Sequence, residues 1–146
     1  MKLQIGLQKP FIDGIISGIL LTIFFKFVEY FTPNKVYTLL LNVDYIPFLN
    51  QQKLMETIEV ALHLTISIIL SMCLYLLVHY LKIVSPRKII IFYVLVCFLI
   101  GLLLFSTTAL SVRTPSITSL PAITYWLVGH IFYGYILGFL FIKRLN

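Results

Sequence analysis

Charge is what this sequence has least of. Only 11% of its 146 residues are Asp, Glu, Lys or Arg, and just five are acidic. A soluble domain carries roughly 25% charged residues, so a conventional soluble enzyme is excluded, as is a disordered chain. Cysteine is scarce too. Cys73 and Cys97 each sit among apolar residues, and the sequence has neither a C-x-x-C nor a Cys/His metal spacing. A disulfide-stapled secreted module is thereby excluded, and zinc or redox chemistry has no ligand set. Both thiols read as small buried hydrophobes. Catalytic signatures are equally absent: no H-E-x-x-H, no G-x-S-x-G, no Gly-rich phosphate loop and no aspartate pair for an intramembrane protease. Nor is there an internal repeat or a low-complexity segment. These residues predict no enzyme, no metal and no cofactor.

What is present is apolar. Hydrophobic residues make up 60% of the chain and aromatics 15%, and the mean hydropathy is +1.03. A helix needs roughly 20 apolar residues to cross a bilayer. Four windows qualify: Phe11 to Phe31, Val60 to Tyr80, Lys88 to Thr108, and Ile123 to Ile142. The expected fold is therefore an all-α integral membrane protein, one four-helix transmembrane bundle filling residues 1–146. The first span does not read as a cleavable signal peptide, being long, interrupted by Lys26 and Glu29, and without a small-x-small cleavage site.

The net charge of +6 is best read as membrane orientation, with no nucleic-acid partner. Lys2, Lys9, Lys82, Arg87, Lys88, Lys143 and Arg144 fall on one side of the four spans; Lys35, Lys53 and Arg113 fall on the other. The positive-inside rule then places both termini in the cytoplasm of a multi-pass cell-membrane protein. Trp126, with Tyr125, is expected to anchor the outer interface. The long first outer loop is unusually apolar. Thr32-Pro33 reads as a cap and helix start, and Val36, Leu39, Leu40 and Val43 recur at helical spacing. A short interfacial helix is expected there, either a lid over the bundle or a docking surface for a partner or lipid. Pro121 suits the first turn of the last span.

Small residues mark helix contacts in lipid. Gly14 and Gly18 form one G-x-x-x-G, Gly134 and Gly138 another. A constant residue sum of 152 for antiparallel helices would pair Gly14 with Gly138, Gly18 with Gly134, Thr22 with His130, and Lys26 with Trp126. A homodimer seam is the alternative use of the same motif. Span two carries Glu59, His63, Ser67, Ser71, Tyr75 and His79 four apart, a polar stripe for the bundle interior. A second constant sum would pair Ser71 with Cys97 and Ser67 with Gly101.

Ionisable groups inside a membrane are costly and raise a functional hypothesis. Lys26, Glu29, His63 and His130 all fall in the outer half. Snorkelling explains Lys26, an i,i+3 pair explains Glu29, and hydrogen bonding within the bundle explains His130. The sharper reading is one cluster holding a proton, an ion or a small polar headgroup. A His63–Ser67 hydrogen bond is expected along the helix face, with no third group to make it catalytic. A non-enzymatic protein with a proton, ion or membrane-stress role heads the functional readings. A structural or accessory subunit, homo-oligomeric or docked on a membrane partner, comes next. An intramembrane lipid-modifying enzyme is the third class.

The glycine-bearing first helix with Lys26, Glu29 and Pro33, followed by Trp126 and Gly129-His130-Ile-Phe-Tyr-Gly134, resembles the YagU-like family of bacterial inner-membrane proteins. The likeness covers the first and last spans; the middle spans share only hydropathy. The first outer loop departs, since Thr32-Pro33-Asn34-Lys35 lacks the expected proline and arginine cluster. The resemblance implies membrane location and a helical fold, and carries no biochemical activity with it.

Overall fold

The computed structural model describes residues 6–44, 46 and 54–144, and these are helical without a strand. Lys2 and Lys53, which enter the charge count above, lie outside them. The helices are α1 (Gln8–Phe31), α2 (Val36–Leu40), α3 (Glu56–Tyr80), α4 (Pro86–Phe105) and α5 (Leu120–Lys143), with a 3-10 helix Ser106–Leu110 continuing α4. Four of them are long and apolar enough to cross a membrane: α1, α3, α5, and α4 together with its 3-10 extension. Each runs a few residues beyond the hydropathy window, because polar termini still satisfy helix geometry.

Local signals set the ends. Ser119 accepts a hydrogen bond from the Ala122 amide at the start of α5, with Pro121 in its first turn as expected. Pro86 likewise stands in the first turn of α4. α3 stops where Lys82 adopts a left-handed backbone, φ 53°. There the Ile83 amide bonds to the Val78 carbonyl and the Lys82 amide to that of His79, a Schellman closure that turns the chain tightly into α4. Thr32 does not start the loop helix. Its hydroxyl and amide both return to the Val28 carbonyl, so it closes α1, and α2 begins at Val36. Val36 and Leu39 are fully buried, and α2 packs onto α1 and α5 as a lid.

Polar and apolar residues are distributed inside out. Ile12, Ile16, Ile19, Ile23, Leu99 and Phe139 face outward, while Asp13, Ser67, Ser71 and His130 are buried. That arrangement suits a hydrocarbon surround.

Helices α1, α3, α4 and α5 pack as three antiparallel pairs, α3 on α1, α1 on α5, and α5 on α4; α3 and α4 barely touch. The glycine stripes do not face one another as the 152 sum required. A Cβ on Gly14 would lie 2.7 Å from the Ile68 Cα, and one on Gly18 would strike Ser67 and Leu64, so the first stripe packs on α3. Gly134 and Gly138 pack instead on Tyr93, Val94 and Ile90 of α4. Ser67 and Ser71 correspondingly turn to α1, donating to the carbonyls of Gly14 (2.7 Å) and Pro10 (2.8 Å), not to Gly101 and Cys97. The physical reason is the hydroxyl. In an apolar surround each serine needs an acceptor, and a glycine seam brings a backbone carbonyl within reach. The α1–α5 contact uses aromatics: Phe25 lies against Gly129 and stacks on Trp126.

Candidate functional site

Beneath α2 the four long helices enclose a cavity of about 100 Å³, lined on its polar side by Asn42, His63, Ser67, His130 and Tyr133. Its apolar walls come from Leu21, Ile66, Leu70, Ile100 and Leu104, and Leu39 and Leu40 of α2 roof it.

His130 is placed by two neighbours, Gly101 and Trp126. Gly101 lets the imidazole lie on the α4 backbone; a Cβ there would sit 2.8 Å from its Cγ. Trp126 donates its indole N–H to the Gly101 carbonyl at 2.8 Å, tying α5 to α4 one turn away. The His130 Nδ1 donates to the Trp126 carbonyl at 2.9 Å. A carbonyl can only accept, so the neutral ring keeps its lone pair at Nε2.

The floor of the cavity is an ordered relay. Ser67 Oγ spends its proton on the Gly14 carbonyl, so at the 2.8 Å contact with Tyr133 the phenol is the donor. Ser67 is therefore not hydrogen-bonded to His63, contrary to the helix-face pair expected. His63 Nε2 and Asn42 Nδ2 are buried and find no hydrogen-bond partner among the described residues. Buried polar groups of this kind are rare and call for an occupant.

The four-residue cluster expected from sequence divides into three. His63 and His130 share the cavity. Lys26 points away, with 62% of its side chain exposed, and pairs with Glu56 at 2.8 Å rather than with Glu29. Its ammonium also sits 5.1 Å from the centre of the Tyr37 ring, a cation–π contact, and not against Trp126, its partner under the constant sum. Trp126 is buried among helices and anchors no interface. Thr22, expected opposite His130, bonds back to the Gly18 carbonyl.

Glu29 holds the lid. Its carboxylate accepts from the Thr38 amide (2.8 Å) and hydroxyl (2.7 Å), capping the first turn of α2 from a neighbouring helix. Tyr37 extends the latch by donating to Glu56 at 2.6 Å. Burial, and then that bond, push the Tyr37 hydroxyl up to about 12, so it remains a protonated donor across physiological pH. α1, α2 and α3 are thus joined over the cavity.

Ion pairs that sequence reasoning missed stand at the two ends. Beside the lid, Arg113 reaches Glu59 at 3.3 Å and Asp44 at 3.8 Å, and Ser111 donates to Asp44. At the opposite end Arg144 meets buried Asp13 at 2.6 Å, closing the end of α5 on the start of α1. Asn42 carried no signal, since its role depends on where α2 ends. Among the described residues no group of His, Cys, Asp and Glu could hold a metal ion.

Compared with known proteins, the chain matches no family model, no curated protein and no solved structure.

Proposed function

We propose that this chain is a non-enzymatic multi-pass protein of the cell membrane that binds a small uncharged polar group in the cavity shared by His63 and His130. The observation that carries this reading is the buried His63 Nε2, which meets no hydrogen-bond partner among the described residues and lines the same roofed cavity as His130. A binding role fits better than transport. Leu39 and Leu40 of α2 roof the cavity, and toward the far end Ser71 is engaged with the Pro10 carbonyl and Tyr93 is fully buried, so the described residues line no polar path through the bundle. It also fits better than catalysis, because the Ser67 hydroxyl is committed to a carbonyl instead of a base. Seven basic residues against three support a topology with the termini in the cytoplasm and the lid outside. The likeness of the first and last helices to the YagU-like proteins supports the same location.

Histidine-selective nitrogen NMR on the full chain in nanodiscs tests this, with n-butanol as probe. A saturable shift of the His130 Nε2 resonance is expected, lost in His63→Phe, which removes the Nε2 and puts a larger apolar ring in the cavity wall. A shift that rises linearly with butanol, or one unchanged by His63→Phe, overturns the proposal.

A further inference from the structure

The cavity is closed at the top by α2 but bordered at the side by the two helices that do not pack. Ile66 on α3 lines it while remaining 50% exposed on the outer surface, and Ile100 and Leu104 of α4 form the facing edge. An apolar wall therefore runs from His63 and His130 to the surface that lipid covers. Resting on the binding reading above, we infer that the occupant is a long-chain lipid alcohol, its hydroxyl between the two histidines and its tail leaving between α3 and α4.

Charge selects the head. Among the described residues no carboxylate, lysine or arginine lines the cavity. The nearby acids are already engaged: Glu29 with Thr38, Glu56 with Lys26, and Glu59 with Arg113. A phosphate or ammonium head would enter without a counter-ion, at the full cost of burying an unpaired charge. A hydroxyl matches what is offered, donating to the His130 lone pair and accepting from the Asn42 amide, whose Nδ2 finds no partner among the described residues. Size agrees. At about 30 Å³ per water, a cavity of about 100 Å³ has room for a hydroxyl and the first few carbons of a chain.

Photolabelling of the full chain in nanodiscs tests the inference, using hexadecanol with a diazirine near the hydroxyl and hexadecyl phosphate with the same tag. Hexadecanol should label cavity residues of α3 and α4 saturably, at least tenfold above the phosphate. Ile66→Trp, at the side entrance, should lower that labelling at least fivefold. Ile69→Trp, exposed on the same helix but outside the cavity, should leave it unchanged and controls for folding. Equal labelling by the two heads, or indifference to Ile66→Trp, overturns the inference. If butanol still shifts His130 saturably while hexadecanol does not label, the lipid inference alone fails. If neither binds, the binding reading fails with it.

Discussion

Arg144→Ala is expected to destabilise the folded chain by about 3 kcal/mol, the lower end of the cost of breaking a buried ion pair. Asp13 is held inside the bundle with 6% of its side chain exposed, and the Arg144 guanidinium meets it at 2.6 Å while itself 30% exposed. Removing the arginine strands a carboxylate among apolar helices, and this desolvation cost outweighs any attraction lost. The double variant Asp13→Asn with Arg144→Ala should recover most of the loss, because a neutral amide is far cheaper to bury. Denaturation of the purified chain in detergent, followed by circular dichroism, measures all three. A single variant within about 0.5 kcal/mol of the parent, the range of an ordinary surface substitution, would show that Asp13 is not held as described.

The second large effect lies in the helix seams. Gly134→Ala and Gly14→Ala should each cost about 1–2 kcal/mol net, since overpacking costs about 1–3 kcal/mol and alanine returns up to about 1 kcal/mol of helix propensity. At both sites the new methyl meets backbone: the Tyr93 carbonyl at 2.8 Å and Val94 Cα at 2.9 Å for Gly134, and Ile68 Cα at 2.7 Å for Gly14. Backbone cannot rotate away, so the helices must part. Gly138→Ala is the internal comparison, its closest approach being 3.2 Å to Ile90 Cα; there propensity offsets the crowding and the net change should be under about 0.5 kcal/mol. The same unfolding measurement ranks them. Equal effects at 134 and 138 would mean that the two glycines are not at different depths of the seam.

Hydropathy made the four long helices legible, since a run of apolar residues is a property of the chain itself. The lid was legible too, through the spacing of Val36 and Leu39. Helix pairing was not. The idea that antiparallel contacts keep a constant residue sum holds within each seam: Gly14 and Gly18 follow one register along α3, and Gly101 and Gly134 another across α4 and α5. Choosing which helices share a register needs the acceptor for each buried hydroxyl, and Ser67 is as far as 53 residues from its Gly14 carbonyl. For the site, depth along the helix put His63 and His130 in one layer, and both line the cavity. It could not separate them from Lys26 and Glu29, because depth carries no information about the direction a side chain takes around its helix. Lys26 and Glu29 hold the roof; the histidines face what lies beneath it.

The cavity exists because α1 pairs with α3 and α5 with α4, leaving α3 and α4 apart. Disulfide trapping tests that arrangement most directly, in a chain with Cys73→Ala and Cys97→Ala. Gly138→Cys with Ile90→Cys should cross-link α5 to α4 under mild oxidation, whereas Gly138→Cys with Gly14→Cys should remain reduced. Cross-linking of the 14–138 pair, with none at 90–138, would restore a glycine seam between α1 and α5 and contradict the account.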